Sequence, residues 1–280
     1  MRKTLATTDG IELHLRHWPF ATRSRGTVLI VHGLGEHVAR YGHVAAHLND
    51  WGWNVVGYDQ RGHGHSGGAK GALNASDDLL RDLAQVIDAT RAEHDGTLVL
   101  LGHSMGGLIA ARFVAEGLAA APAAWHRPVD ALVLSSPALD PGMNAMQRLL
   151  LSVLAPLVPS LAVNNGLKTS WISRDSSVVK AYENDPLVHE RVTPRLVRFI
   201  VDSGELACRN AARWTTPTLL MYAGSDRCVS PAGSARFAAA APKEIVNVRE
   251  FAPLYHEIFN EPEQAEVFAA LGAWLAGRGH

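Results

Sequence analysis

The segment Thr97-Leu98-Val99-Leu100-Leu101-Gly102-His103-Ser104-Met105-Gly106-Gly107, continued by a helical pattern from Leu108 to Val114, decides the fold. Its first five residues form a continuous apolar run, the habit of a strand covered on both faces in a parallel sheet. The run passes straight into Gly-x-Ser-x-Gly and then into a helix. A serine on such a strand-to-helix turn is held in a strained backbone conformation, and flanking glycines are required where a Cβ would strike neighbouring backbone. The turn lifts the Ser104 hydroxyl above the sheet edge, and the helix start behind it offers the Met105 amide to a developing oxyanion. Gly-x-Ser-x-Gly alone is also compatible with an inconsequential glycine-rich turn. Its place between strand and helix favours a nucleophile.

Working outward, Ile11 to Trp18 alternates like a half-buried strand, while Thr27 to Val31, Asn54 to Tyr58 and Asp130 to Leu134 repeat the doubly buried type. Between them, Ser76 is placed to cap a helix whose Leu79, Leu80, Leu83, Val86 and Ile87 share one face, with Asp77 and Asp78 at its positive end. After Ser136-Pro137 the alternation stops, and apolar helical pieces and prolines follow without a strand-like run. It resumes with strand Thr218 to Tyr222, helix Gly233 to Ala240, strand Glu244 to Phe251 and a last helix with Pro262 in its first turn. Val267, Phe268, Leu271, Trp274 and Leu275 give that helix one apolar face. The expectation is an α/β fold with a mostly parallel central sheet flanked by helices. Its core segments are 1–136 and 212–280, with a helical insertion at 137–211 after the sixth strand.

Composition narrows the function. In 280 residues, 26 Lys and Arg against 27 Asp and Glu leave a net charge of −1, which excludes the basic stripe a nucleic-acid partner demands. A hydrophobic fraction of 47% suits a well-packed globule. Cys208 and Cys228 have no metal-ligand spacing, and their scarcity fits a reducing compartment. The first ten residues turn polar at once, unlike a signal peptide. The greasy run Leu149 to Val158 falls short of the roughly 20 residues needed to span a bilayer. A soluble, cytoplasmic chain is expected, with room for a peripheral position at a membrane surface.

A serine hydroxyl needs a base, and the base an orienting acid. Four histidines follow Ser104: His126 in an alanine-rich loop, His189 in the insertion, His256 between the last strand and last helix, and His280 at the terminus. Only the His256 loop opens at the carboxyl edge of the sheet, where open α/β folds place their ligands. For the acid, Asp226 in the turn Ala223-Gly224-Ser225-Asp226 competes with Asp140 and with a plain turn-forming role. The order Ser104, Asp226, His256 is that of Gly-x-Ser-x-Gly enzymes on this fold. The two glycines of His32-Gly33-Leu34-Gly35-Glu36 let backbone approach a substrate closely, although a simple strand-to-helix turn explains them equally. His63 and His65 invite a metal, but no carboxylate or cysteine stands at ligand spacing, so neither a metal nor an organic cofactor is expected.

Together these residues resemble the α/β-hydrolase superfamily, in detail its monoacylglycerol lipase and lysophospholipase branch. The resemblance spans almost the whole chain. It rests on His32-Gly33-Leu34-Gly35-Glu36-His37 with Arg40-Tyr41, Asp59-Gln60-Arg61-Gly62-His63-Gly64-His65-Ser66, Gly102 to Gly107, Asp185-Pro186-Leu187-Val188 and Gly224-Ser225-Asp226-Arg227. It implies serine esterase chemistry on a small lipid ester. The oxyanion amides would be those of Leu34 and Met105, and Arg40, His103 and Tyr182 would contact the substrate. Each of these three has a plain alternative: a salt-bridged helix residue, an elbow-orienting hydrogen bond and ordinary packing. The insertion corresponds to the family's cap. Its stripe Met146, Leu149, Leu150, Val153, Leu154, Leu157 and Val158 either packs inward, the commoner fate, or lines an acyl channel and meets a membrane surface. Pro156 should kink or end that helix. Cys228, near the acid, reads as a small buried filler or as a thiol whose modification disturbs activity. A general carboxylesterase, other Ser-His-Asp hydrolases of aminopeptidase or cofactor-free haloperoxidase type, and a non-catalytic hydrophobic-ligand binder stay open as alternatives. An aspartate-nucleophile dehalogenase or epoxide hydrolase is disfavoured by a serine at position 104.

Overall fold

The computed structural model describes residues 3–20 and 24–279, so His280 lies outside the described residues. In chain order the main elements are β1 (Thr4–Ala6), β2 (Glu12–Trp18), β3 (Gly26–Val31), α1 (Gly42–Asp50), β4 (Asn54–Tyr58), α2 (Asp78–Glu93), β5 (Thr97–His103), α3 (Met105–Glu116) and β6 (Ala131–Ser135). There follow α4 (Ala145–Leu157), β7 (Val163–Asn164), α5 (Ser176–Glu183), β8 (Arg191–Val192), α6 (Pro194–Asn210), β9 (Thr218–Ala223), α7 (Pro231–Ala240), β10 (Val246–Phe251) and α8 (Gln264–Ala276). Eight strands make one sheet in the order β1-β2-β4-β3-β5-β6-β9-β10. Only the β1–β2 and β2–β4 pairs are antiparallel.

The doubly buried runs explain this layering. Along β3, Val28 and Ile30 face the side covered by α1 and α8, while Leu29 and Val31 face the side covered by α2, α3, α6 and α7. Leu98 and Leu100 against Val99 and Leu101 repeat the alternation on β5. Crossover helices cover both faces because parallel neighbours cannot be joined by hairpins. All the strand ends that matter for chemistry, after β3, β5, β9 and β10, therefore open at one edge.

The insertion follows the sixth strand, as expected. It is tied down by α6, whose Leu196, Phe199, Ile200 and Ala207 join the same core as α3.

Local readings fail at several ends. Helix α2 begins at Asp78, with Asp77 rather than Ser76 at its cap position. Asp78 turns its carboxylate back to accept from the Asn74 and Ala75 amides at 2.7 and 2.9 Å and to meet Arg61. The insertion does contain strands: β7 and β8 pair antiparallel, too short to leave a periodic signal. Pro262 stands just before α8, whose cap position is Glu263, while α7 starts earlier than expected, at Pro231. Pro156 lies one residue before the end of α4, which it terminates.

Candidate active site

Ser104 sits between β5 and α3 with φ 54° and ψ −121°, the strained elbow that the sequence predicts. A Cβ on Gly102 would come 2.4 Å from the Gly106 carbonyl oxygen, and one on Gly106 would come 2.0 Å from that of Val31. Both glycines are therefore steric necessities: Gly102 has no room against the first turn of α3, and Gly106 none against the end of β3. The Ser104 amide donates to the Ser135 carbonyl at 2.9 Å, which fixes the turn against β6.

Over this hydroxyl, the loop after β10 places His256 with Nε2 2.8 Å from Ser104 Oγ and Nδ1 2.7 Å from Asp226 Oδ2. Asp226, in the turn after β9, uses its other oxygen to accept the Cys228 and Val229 amides at 2.8 and 3.1 Å. Burial alone pushes this carboxyl up, but His256 and those amides outweigh it and hold it below the usual range. Burial favours a neutral His256, yet the neighbouring Asp226 leaves its pKa above the ordinary value. The rival Asp140 is elsewhere, accepting the Gly142 amide at 2.9 Å and lying 3.9 Å from both Arg148 and Arg236. Cys228 is buried beside the acid, where burial pushes its thiol up and keeps it protonated.

The turn after β3 brings Leu34 to the wall of the cleft that holds Ser104. Met105 supplies the first amide of α3, a position without an intrahelical acceptor. Glu36 braces the turn by accepting from the Gly33 amide and the Tyr41 hydroxyl, both at 2.6 Å. Although burial pushes the Glu36 carboxyl up, the Arg40 guanidinium and nearby histidines bring it down to about 2.

Of the expected substrate contacts, Tyr182 and His103 line the cleft, and Arg40 does not. The Arg40 guanidinium instead spends its donors on Glu36 and, in a fork, on Glu257, all at 2.7 Å. These bonds give Arg40 the ion-paired role that the sequence left open beside substrate contact. His103 is buried with Nδ1 3.1 Å from Ser135 Oγ, and burial together with the adjacent His256 pushes its pKa down to about 4. His63 directs Nδ1 at the Arg61 carbonyl, and the His65 amide donates to Asp59, both at 2.9 Å, so these residues build a turn. Among the described residues, potential metal-ligand atoms converge only at His17, Glu93 and His94 and at Asp226, Cys228 and His256.

The cleft is narrow, with a cavity volume of about 50 Å³, well below the roughly 300–1,000 Å³ of drug-sized ligand sites. From the insertion it is lined by Asn165, Leu167, Lys168, Thr169, Ile172, Tyr182 and Glu190. The apolar stripe of α4 is absent from that wall, and it does not pack inward either. Met146 and Leu157 are each 71% exposed, while Leu151, on the other side, is 8% exposed. Helical spacing shows which residues share a face and is silent on what the face meets.

Sequence reasoning missed Glu36, Tyr41 and Glu257. Glu36 stands four residues before Arg40, an ion-pair spacing that was there to be read. Glu257 pairs with Arg40 across 217 residues, which no local pattern signals.

Comparison with known proteins identifies the family. The family model described as serine aminopeptidase S33 matches residues 22–263. The monoacylglycerol lipase of Mycolicibacterium smegmatis is 34% identical over 277 residues, 97% of this chain and 95% of that protein. Phospholipase YtpA of Bacillus subtilis is 31% identical, over 91% of this chain and 96% of that one. The crystal structure of Paleococcus ferrophilus monoacylglycerol lipase superposes with a TM-score of 0.83 at 34% identity, over 95% of this chain and 98% of that chain. With its elbow, its sheet order and these matches, the chain belongs to the serine aminopeptidase S33 family of α/β hydrolases.

Proposed function

We propose that this protein is a serine hydrolase that cleaves carboxylic esters of small lipids, monoacylglycerols or lysophospholipids, through an acyl-enzyme. The observation that carries the reading is the continuous hydrogen-bonded line Ser104–His256–Asp226, whose Ser104 and His256 line the cleft. His256 takes the Ser104 proton as the hydroxyl attacks the ester carbonyl. Asp226 holds the imidazole in the required tautomer, and the Leu34 and Met105 amides stabilise the tetrahedral oxyanion. His256 then protonates the leaving alcohol, and water, activated by the same base, releases the acid.

Two features favour an ester of a lipid over a peptide. An aminopeptidase needs a carboxylate for the substrate's terminal amine, yet Glu36 and Glu257 are both tied to Arg40, and the Glu190 carboxylate on the same wall is exposed to solvent. The relatives named as monoacylglycerol lipase and phospholipase act in the same direction. The polar wall from Asn165 to Thr169 suits a compact alcohol head group.

We take 137–211 as the cap, and its α4 as the part that touches a lipid surface. No helix among the described residues is long and apolar enough to cross a membrane. Leu149, Leu150 and Val153 are 60, 54 and 48% exposed, which gives α4 an apolar face free to lie in the boundary of a bilayer or micelle. The test is purified protein assayed against monoacylglycerols, lysophospholipids, triacylglycerols and p-nitrophenyl esters of graded chain length. Turnover is expected on the first two and on medium-chain p-nitrophenyl esters. Turnover confined to peptide or amide substrates would contradict the reading.

A further inference from the structure

We propose that Arg40 is a positioning residue: by clamping Glu36 and Glu257 it locks the oxyanion turn to the histidine loop and sets the pH at which His256 can serve as a base. The inference rests on the serine-hydrolase reading above and deepens it.

The clamp joins segments far apart in the chain. Arg40 lies in the short helical turn Val38–Tyr41, Glu36 in the turn after β3, and Glu257 directly after His256. One guanidinium nitrogen donates to both carboxylates and the other completes the fork to Glu257, every bond at 2.7 Å. Each carboxylate passes the constraint on. Glu36 holds the Gly33 amide at 2.6 Å, one residue before the proposed oxyanion donor Leu34. Glu257 accepts from Asn260 at 2.7 Å, and its own amide donates to the Ile172 carbonyl of the insertion at 2.8 Å. The Tyr182 ring covers the guanidinium at 4.8 Å, so the insertion closes the clamp from above.

The electrostatic consequence follows from the charge count. His256 is faced by Asp226 from the turn after β9, His103 from the end of β5 with rings 4.8 Å apart, Glu36 from the turn after β3 and Glu257 from its own loop. Cys228, Tyr182, Lys168 and Glu190 line the same cleft. Three of the near groups are carboxylates, and Arg40 supplies the one positive charge bonded to two of them. Without that charge Glu36 and Glu257 would hold a proton on His256 more tightly, and the base would be blocked at neutral pH. Glu36 and Glu257 already act in that direction on His256, behind burial and Asp226.

The experiment follows the His256 imidazole by NMR titration in the whole protein, its signal identified by its loss in H256Q. The same variants are followed in the pH profile of kcat/KM for a p-nitrophenyl ester. Arg40→Gln should raise the His256 pKa and Glu257→Gln should lower it, each by about 1 unit, with the acid limb of kcat/KM moving in step. Arg40→Lys, which keeps the charge and loses the fork, should restore the pKa while kcat stays reduced. If Arg40→Gln does not fold, Glu257→Gln decides alone. Titrations that superimpose on the wild type, or that move in one direction for both variants, would overturn the proposal. Because the NMR arm needs no turnover, absence of ester hydrolysis in the wild type would count against the assigned activity and leave this test intact.

Discussion

The rim of the sheet around Ser104 and the outer face of α4 invert the usual rule of burial in opposite senses. At the rim, Glu36, His103, His256 and Glu257 are buried. On α4, Met146, Leu149, Leu150, Val153 and Leu157 are exposed. Buried charge is tolerated at the rim because nearly every group has a partner within hydrogen-bond reach, and removing one member of such a set costs about 3–5 kcal/mol. The return is geometry: three loops and one strand end are held so that Oγ, Nε2 and the amides cannot drift. The α4 face is exposed among the described residues, so its apolar area, worth about 25 cal/mol per Å² on removal from water, stays available for another surface. One region is finished within the molecule, and the other is, as proposed above, completed against a lipid surface.

The largest expected break is at the rim. Ser104→Ala should lower kcat by about 10⁴-fold or more, since nothing else can carry the acyl group, and should leave the melting temperature almost unchanged. Stopped or steady-state kinetics on a p-nitrophenyl ester read this directly.

Leucine then separates the two regions by itself. Leu100, fully buried on β5, should cost about 2–5 kcal/mol of unfolding free energy when changed to alanine. The pair Leu149→Ala and Leu150→Ala, both exposed on α4, should each cost less than about 0.5 kcal/mol. Urea unfolding of the variants makes the comparison, and an α4 variant as destabilised as Leu100→Ala would return that face to the core.

The pH dependence tests the buried charges. A neutral imidazole is required, and Asp226 leaves the His256 pKa above its ordinary value. Activity should therefore be full above that pKa and fall as pH drops through it, starting higher than the ~6.5 of a free histidine. A profile flat from pH 5 to 8 would remove His256 as the base.

The smallest effect belongs to α4. The double variant Leu149→Ala/Leu150→Ala should bind phosphatidylcholine vesicles about tenfold more weakly and lose rate on long-chain esters, with short soluble esters unaffected. Equal losses on both substrate lengths would mean that α4 supports the cleft and meets no lipid.

Much of this was legible in the chain. The elbow is a local steric rule, so Gly102, Ser104 and Gly106 announce it wherever strand and helix patterns flank them. The sheet is legible because β3, β5 and β6 are buried on both faces and read as unbroken apolar runs. His256 follows from the edge at which its loop opens. Asp226 and Asp140, by contrast, stand after neighbouring strands, and only the 2.7 Å contact with His256 separates them. For Arg40 the sequence left substrate contact and a salt bridge open, because its second carboxylate lies 217 residues away. For the α4 face the sequence left packing and lipid contact open, because periodicity describes a helix and not its neighbours.

The central claim is that Ser104 is the one nucleophile of a lipid esterase. Its most direct test is to treat the purified protein with a fluorophosphonate, with and without prior monoacylglycerol, and to map the modified residue by mass spectrometry. The account predicts a single adduct on Ser104, formed more slowly in the presence of the monoacylglycerol. An adduct on another serine, or no adduct in a folded protein, would contradict it.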